Sequence, residues 1–276
     1  MPNDRYTPAP PALSEDYFHR PSPARMWNYL QGGKDNYQLD RTAGDAMAGA
    51  GTDMFHLARE CRQLLMRAVR VVAAEYGIAQ FLDIGCGLPG PQGTQNTHEV
   101  AQEVHPHARV VYVDNDKVVL AHARALLTSL TPDAGPIDYL DCDARDTDRI
   151  LDEAAGTLDF SRPIAVIMFG LLGAVSFDEA RAIASRTMEA VPAGSYLLFE
   201  DGVDAGPSER AAIKMRAEAG ADEYELRTPE QMSEFFDDLE LLEPGLVSVT
   251  QWRPNLTAVG APPSPVAAYA AVARKP

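Results

Sequence analysis

Three aspartates stand where short apolar segments of the sequence end. Asp83 closes "AQFLD", Asp114 closes "ARVVYVD", and Asp143 follows "IDYLDC". Short apolar runs of this kind are typical of buried strands, and the carboxyl ends of parallel strands share one edge of a sheet. Carboxylates at that edge can neutralise an amino group and accept hydrogen bonds from ribose hydroxyls or an adenine amine. Each aspartate alone is also a common loop-capping residue, but the three together indicate a cationic ligand that contains a nucleoside.

A glycine-rich loop follows the first of these segments. In "LDIGCGLPG", Gly85, Gly87 and Gly90 satisfy the G-x-G-x-x-G pattern of dinucleotide sites, where a helix begins directly after the glycines and binds a pyrophosphate. Here "LPGPQGTQN" delays the first plausible helix start to Asn96, and the carboxylate of Asp83 would repel a phosphate. The loop therefore favours S-adenosylmethionine over NAD, and an NAD-dependent oxidoreductase is the weaker alternative.

The order of predicted elements indicates an α/β fold. Five strand-then-helix units follow one another, and right-handed crossovers between parallel strands place helices on both faces of the sheet. Only a Pro-rich loop separates the last two strands, so the final strand should be antiparallel. The predicted strands span residues 79–85, 108–116, 137–145, 163–170, 194–201, 245–252 and 267–274.

The residues before the first strand predict a small helical unit. One helix is stopped by Gly32 and Gly33, a second begins at about Asp35, and a third runs from Phe55 to Tyr76. The pattern suits a lid over the sheet edge, or a helical pair whose aromatic residues only pack on the main domain. The predicted parts are a flexible Pro-rich tail at 1–23, a helical lid at 24–76 and a main domain at 77–276.

Composition and charge argue against several classes of protein. A formal net charge of -16 without a local Lys/Arg cluster argues against DNA or RNA as a partner. The chain has no apolar run long enough to span a membrane and no apolar export signal, so we expect no membrane contact. Three widely spaced cysteines without partner histidines predict neither disulfides nor a metal site, and they fit a reducing, cytoplasmic location.

Three stretches of the sequence resemble one family of enzymes. "PARMWNYLQGGKDNYQLDR", "FLDIGCGLP" and "NTHEVAQEVHPHARVVYVDND" look like the actinobacterial family of S-adenosylmethionine-dependent methyltransferases once catalogued as a domain of unknown function. The resemblance covers about residues 20–275. It implies a Rossmann-like class I methyltransferase fold: a seven-stranded, mainly parallel sheet with the last strand antiparallel, and an N-terminal helical lid. The sequence departs from the family in a longer glycine loop and in "FGLLGAVSF", which lacks a His-Phe pair that many relatives have.

The aspartate pattern and the resemblance together predict a site for S-adenosylmethionine, with S-adenosylhomocysteine as its product. In chain order, the three strand-end aspartates would meet the methionyl amino group, the ribose and the adenine amine. Arg25, Lys34 or Asn36 would meet the methionyl carboxylate. The predicted cofactor contacts are Tyr29, Gly33, Asn36, Asp83, Gly85, Gly87, Asp114, Asn115, Asp143, Ala144 and Phe169.

The acceptor side of the site is predicted from position and side-chain type. Methyl transfer from an activated sulfonium needs mainly alignment, and a base only where the acceptor must lose a proton. His98 is a candidate base or, equally, an exposed first-turn residue, and Glu99 suits a capping role. The candidate bases are Tyr29, His98, Glu200 and Asp201, and the predicted acceptor contacts are Trp27, Tyr37, Leu171 and Leu172.

The sequence thus predicts a methyltransferase that acts on a small molecule, such as an aromatic or secondary metabolite. The methylated atom, carbon, nitrogen or oxygen, stays open at this point. Two alternatives to a methyltransferase stay open. One is a protein that binds S-adenosylmethionine without transferring a methyl group, and the other is the NAD-dependent oxidoreductase named above.

Overall fold

Three helices precede the first strand of the domain. The computed structural model describes residues 18–254 and 263–276, so most of the predicted tail, residues 1–17, lies outside the described residues. The three helices are α1 (Pro23–Leu30), α2 (Gln38–Ala48) and α3 (Met54–Tyr76).

Local sequence explains where these helices begin and end. Gly32 follows α1 with a φ of 89°, and Gly77 caps α3 with a φ of 70°. Glycine adopts this left-handed conformation without steric cost, so both residues stop a helix. The second helix starts later than the predicted Asp35, because Tyr37 takes the N-cap position and its backbone N–H donates to the Asp40 carboxylate (2.7 Å).

Five strand-then-helix units form the centre of the domain, as the sequence predicted. Capping boxes fix two of the helix starts, with Glu99 bonded back to Asn96 and Glu179 bonded back to Ser176. The elements are β1 (Gln80–Ile84), α4 (Thr97–Val104), β2 (Arg109–Asp114), α5 (Lys117–Leu126), β3 (Ile137–Asp141), α6 (Thr147–Ala154), β4 (Ala165–Phe169), α7 (Phe177–Ala190), β5 (Tyr196–Gly202) and α8 (Pro207–Glu218).

The C-terminal part adds a short helix and three strands. The long strand predicted at 245–252 is reduced to two residues, because the chain turns after Ser248, whose carbonyl accepts from the Gln251 N–H (2.8 Å). A further two-residue strand just before it was not predicted. The elements are α9 (Pro229–Ser233), β6 (Glu240–Leu241), β7 (Val247–Ser248) and β8 (Ala268–Arg274).

The strands form one mixed sheet in the order β3-β2-β1-β4-β5-β8-β6, and β7 pairs with β8. Strands β1 to β5 are parallel, and β8 is antiparallel to β5. The mainly parallel sheet with an antiparallel final strand is therefore confirmed, and β6 is the strand that the prediction lacked. The strand order reverses between β1 and β4, which leaves a crevice beyond their carboxyl ends where α/β proteins bind ligands.

Helices bury both faces of this sheet. One face packs against α1 to α4, and the other packs against α6, α7 and α9. Within β1, Phe81 belongs to the first core, and Leu82 and Ile84 belong to the second, because successive side chains of a strand point to opposite faces. In residues 18–254 and 263–276, no helix is both long and apolar enough to cross a membrane.

A buried carboxylate holds the start of the chain's helical part together. Asp40 of α2 is fully buried, pairs with Arg25 of α1 (2.8 Å) and accepts from the backbone N–H of Ser22 (3.0 Å) and of Tyr37. Ser22 in turn donates through its hydroxyl to Asp116, which follows β2 (2.9 Å). These bonds place α1 beside the carboxyl ends of the strands.

Candidate active site

A cavity of about 820 Å³ lies where the carboxyl ends of the parallel strands meet α1. Its volume lies within the usual range for ligand pockets. Each of the five parallel strands, or the loop directly after it, contributes to the wall. The strand-end residues that line it are Asp83, Gly85, Gly87, Asp114, Asn115, Asp143, Ala144, Phe169, Leu171 and Glu200.

Local hydrogen bonds order two of the predicted aspartates, of which Asp83 is buried and Asp114 is partly buried. Asp83 accepts from the Thr97 hydroxyl (2.7 Å), and Asp114 accepts from the backbone N–H of Gly87 and of Asp116 (both 2.9 Å). Burial raises the pKa of both carboxyl groups to about 6, against the effect of these donors. Both side chains are therefore held in fixed positions on the cavity wall.

The third aspartate stands in a different environment. Asp143 forms a two-point ion pair with Arg145 (2.7 and 2.9 Å), which lowers the pKa of its carboxyl group to about 2. Asn115, after the neighbouring strand, donates to the same carboxylate at 3.4 Å. The end of β3 thus presents a carboxylate that stays ionised, beside the cavity-lining backbone of Ala144.

The glycine loop packs closely against the segment after β4. Gly85 and Gly87 have φ values of 73° and 65°, which disfavour any other residue. A Cβ on Gly85 would lie 2.8 Å from Leu171, so the side chain of Leu171 rests directly on the loop. The loop therefore presents backbone to the cavity, which leaves room for a ligand to approach closely.

Two donors on the cavity wall test whether S-adenosylmethionine fits. Among the described residues, Arg62 Nε and Asn28 Nδ2 are buried without a hydrogen-bond partner, and both side chains line the cavity. A buried donor without a partner costs free energy, so a ligand acceptor at this place would stabilise it. The cofactor carries a carboxylate for these donors and an amino group for Asp83. The residues present therefore fit this cofactor.

The sequence analysis did not identify Arg62 or Asn28. It named instead two residues that lie next to Asn28, in the turn between α1 and α2. Gly33 and Asn36 do not line the cavity. Asn36 donates to the Asn28 side-chain oxygen (3.0 Å), and a Cβ on Gly33 would lie 2.4 Å from Asn28 Nδ2. Both residues thus position Asn28. The "NYLQGGKDN" stretch was the available signal for Asn28, whereas no local pattern marks Arg62, which reaches the site from α3.

The other end of the cavity has many apolar side chains and includes the buried carboxyl group of Glu200. Glu200 is 3% exposed, and burial, together with the nearby charge of Asp201, raises the pKa of its carboxyl group to about 8. Cys61 of α3 donates from Sγ to Glu200 Oε1 (3.2 Å). At neutral pH Glu200 is therefore mostly protonated. The apolar residues of this end include Met47, Met54, Leu57, Phe169, Ala212, Ile213 and Leu226.

Asp201, the neighbouring candidate base, does not line the cavity. Alternate strand residues face opposite sides of a sheet, so Glu200 and Asp201 cannot both face the ligand. The Asp201 carboxylate accepts from the Gly173 N–H (2.7 Å) and the Tyr224 hydroxyl, and Arg227 lies 4.0 Å away. Asp201 therefore connects the loop after α8 with the turn after β4, and its role is structural.

Four further predicted residues also lie off the cavity wall. The buried ring of His98 is hydrogen-bonded to the Tyr112 hydroxyl (2.9 Å), and burial lowers its pKa. Tyr29 points away from the cavity, because its hydroxyl donates to Asp45 (2.7 Å) and its ring packs on Phe55. Tyr37 and Leu172 do not line the cavity either. Tyr37 is exposed to solvent, and Leu172 is fully buried.

The two remaining predicted acceptor contacts belong to the cavity wall. Trp27 and Leu171 line the cavity. Residues 23–31 comprise α1 and the residue after it. All of them except Tyr29 line the cavity. Among the described residues, no cluster of three or more His, Cys, Asp or Glu side chains could hold a metal ion.

Comparison with known proteins connects this geometry to a family. The family model described as S-adenosyl methyltransferase matches residues 14–276. A DUF574-family protein from Streptomyces avermitilis is 40% identical, with a TM-score of 0.86 over 94% of this chain and 98% of that chain. A candidate methyltransferase from Thermobifida fusca is also 40% identical, with a TM-score of 0.84 over 94% of this chain and 96% of that chain. The search of curated proteins found no match.

More distant structures share the fold. Magnesium protoporphyrin IX methyltransferase from Synechocystis PCC 6803, solved with bound S-adenosylmethionine, is 12% identical, with a TM-score of 0.52 over 97% of this chain and 100% of that chain. The family match decides the cofactor in favour of S-adenosylmethionine over NAD. The chain belongs to the S-adenosyl methyltransferase family and is an S-adenosylmethionine-dependent methyltransferase.

Proposed function

We propose that this methyltransferase acts on a small molecule with a largely apolar body, such as an aromatic or secondary metabolite. The observation that carries the proposal is the cavity itself, which continues from the acidic strand ends to an apolar wall around Glu200. The net charge of -16 disfavours nucleic acid as the acceptor. The cytoplasm is the proposed compartment, since all three cysteines are free thiols.

One end of the cavity would hold the cofactor. Asp83 would bind the methionyl amino group, and Arg62 and Asn28 would bind the methionyl carboxylate. The ends of β2 and β3 would bind the nucleoside, with Asp114 on the ribose and Asp143 on the adenine amine. The bound cofactor supplies a methyl group activated by a positively charged sulfur.

The apolar end would hold the acceptor and align it for transfer. Glu200 is the candidate general base, because it is the strand-end carboxyl group on this part of the wall. Its raised pKa, about 8, matches a base that takes a proton from the acceptor at mildly alkaline pH, where the ionised carboxylate becomes populated. Cys61 would orient the carboxyl group through its hydrogen bond to Oε1. This replaces the other predicted bases, whose side chains lie off the wall.

The helical part of the chain would exclude water from the reaction. Helix α1 covers the strand ends, and Arg20, just before it, pairs across the cavity mouth with Asp222 of the loop after α8 (2.9 Å). A closed, water-poor cavity strengthens the electrostatic interactions within it.

Calorimetric titration followed by an activity assay tests the proposal. The wild type should bind S-adenosylmethionine and S-adenosylhomocysteine but not NAD. Asp114→Asn should weaken both by roughly tenfold or more, because hydrogen bonds to charged groups contribute about 1.5–3 kcal/mol. The matched control, Asp141→Asn at an exposed position that does not line the cavity, should bind like the wild type.

The second stage assays methyl transfer to a panel of small aromatic acids, phenols and amines with radiolabelled cofactor. Transfer to at least one compound, lost at Glu200→Gln, would support the proposal. Cofactor binding without transfer to any compound would contradict the small-molecule acceptor.

A further inference from the structure

Arg216 of α8 is a buried cation on the cavity wall for which the proposed function gives no role. Its side chain is 5% exposed, and among the described residues its Nη1 has no hydrogen-bond partner. Other buried arginines of the chain stand beside acids: Arg25 lies 2.8 Å from Asp40, and Arg227 lies 4.0 Å from Asp201. Buried charges are normally paired, because leaving water is costly for an ion. Arg216 therefore lacks the partner that its burial calls for.

Helix geometry directs Arg216 to the cavity. Glu209, Ala212, Ile213 and Arg216 all line the cavity, and their spacing of i, i+3, i+4 and i+7 puts them on one face of α8. The first of these residues is already engaged, because Glu209 accepts from the Thr52 hydroxyl (3.1 Å). The last turn of α8 thus presents a cation beside the apolar end of the site.

A fixed aromatic ring supports the guanidinium. Arg216 Cζ lies 5.4 Å from the centre of the Tyr224 ring, which is the geometry of a cation–π contact. The Tyr224 hydroxyl donates to Asp201, and a Cβ on Gly173 would lie 2.3 Å from Tyr224 Cζ. The backbone N–H of Glu225 also donates to Gly173 (2.7 Å). The Tyr224 ring is therefore fixed in position, and the guanidinium of Arg216 packs against it.

Among the described residues, the acids near Arg216 do not form an ion pair with it. Asp222 and Glu223 line the same cavity, and the charge of Asp222 acts on Arg216. Asp222 is bonded to Arg20 at the surface, however, and within the described part of the chain no carboxylate lies within ion-pair distance of Arg216. Among the described residues the buried Nη1 of Arg216 thus has no hydrogen-bond partner, and an anionic group of a ligand in the cavity would supply one.

We infer that Arg216 binds a carboxylate of the methyl acceptor, so that the acceptor is an apolar, aromatic-sized carboxylic acid. The inference rests on the proposed function, since it places the acceptor in the same cavity. Arg216 acts as an acceptor-binding residue, and Tyr224 and Asp201 position it. The carboxylate fixes one end of the acceptor, and the body of the molecule lies along the apolar wall that includes Ile213.

Matched probes with and without the negative charge test this inference. The probes are 4-hydroxybenzoate and 4-hydroxybenzamide, which differ at the carboxylate, titrated into protein saturated with S-adenosylhomocysteine and followed by ligand-observed NMR. The wild type should bind the benzoate at least about tenfold more tightly than the amide, the usual effect of a charge-assisted hydrogen bond. Arg216→Gln should bring the two affinities to within about twofold of each other.

Two further variants make the test independent of the stability of Arg216→Gln. Arg216→Lys keeps the charge but loses the planar, stacked guanidinium, so it should keep a smaller preference for the benzoate. Lys214→Gln removes a charge from the solvent side of α8, where Lys214 is 76% exposed, and should keep the full preference.

The outcomes separate this inference from the proposed function. An unchanged preference in both Arg216 variants, or no binding of the benzoate to the cofactor-product complex of the wild type, would overturn it. Failure of the wild type to bind S-adenosylhomocysteine would instead contradict the proposed cofactor site. Normal binding of S-adenosylhomocysteine by each variant shows that it is folded.

Discussion

The two ends of the cavity are built in different ways. At the cofactor end, carboxylates are already bonded to the protein: Asp83 to Thr97, and Asp114 to two backbone N–H groups. At the acceptor end, within the described residues, Glu200 is buried without a cation nearby, and Arg216 is buried with no hydrogen-bond partner for its Nη1. In the proposed function, the first end is preorganised for one invariant ligand. The second holds two ionisable groups for which the acceptor would supply the partners.

The largest expected effect falls on catalysis at the acceptor end. Glu200→Gln keeps the size of the side chain but cannot take a proton, so the methyl-transfer rate should fall by roughly 10²–10⁴-fold. Steady-state kinetics with an acceptor identified from the panel would measure it. Glu189→Gln, at an exposed position on α7, is the control and should keep the wild-type rate. A wild-type rate for Glu200→Gln would remove Glu200 from the mechanism.

The same substitution should change how stability depends on pH. Burial raises the pKa of Glu200 to about 8 from its ordinary value of 4.5, so between these values the folded protein holds a proton that the unfolded chain has released. The unfolding free energy of the wild type should therefore fall as pH rises from about 5 to 8. Glu200→Gln lacks this loss and should gain roughly 2–4 kcal/mol relative to the wild type over that interval.

Urea denaturation of both proteins at pH 5, 6.5 and 8 would measure the difference. A stability difference that does not change with pH would show that Glu200 ionises at an ordinary pH, and would contradict its burial as a neutral acid.

A glycine in the turn after β4 tests how the acceptor end is held. Gly173→Ala would force the Tyr224 ring to move, because the new Cβ would lie 2.3 Å from Cζ. Overpacking of this kind costs about 1–3 kcal/mol of stability. Thermal denaturation should show that loss, and probe titration should show a weaker preference for 4-hydroxybenzoate with unchanged cofactor binding. Gly49→Ala, where the nearest atoms lie at 3.4 Å, should change neither.

The smallest expected effect separates two residues of the segment that contains α1 and the turn after it. Asn36→Ala removes the donor that holds the Asn28 side chain and should weaken S-adenosylhomocysteine binding by about 3–10-fold, the effect of one neutral hydrogen bond. Tyr29→Phe removes a bond to Asp45 away from the cavity and should leave that affinity within about twofold. Calorimetry on both variants decides between them. The opposite order would restore Tyr29 as a cofactor contact.

The sequence predicted what depends on local pattern. The strand-and-helix alternation, the caps at Asn96 and Ser176, and the three strand-end aspartates follow from spacing along the chain, and the structure has all of them. Strand alternation puts Glu200 and Asp201 on opposite sides of the sheet, although the sequence analysis kept both as candidate bases. It did not tell which of the two faces the cavity, because that depends on the layers packed around β5.

The rest of the site depends on contacts between distant parts of the chain. Arg62 and Cys61 come from α3 and Arg216 comes from α8, so only the packing of these helices brings them to the strand ends. In α1, the sequence identified an aromatic segment but could not tell that Tyr29 faces away from the cavity. A helical pattern gives the faces of a helix, but the partner of each face is set by tertiary structure.

The most direct test of two separate ends is to measure S-adenosylhomocysteine affinity by calorimetry in the wild type, Asp114→Asn and Glu200→Gln under identical conditions. The geometry predicts a loss of roughly tenfold or more at Asp114→Asn and an affinity within about twofold of the wild type at Glu200→Gln. Equal losses at both positions, or a loss at Glu200→Gln alone, would contradict a cavity divided into a cofactor end and an acceptor end.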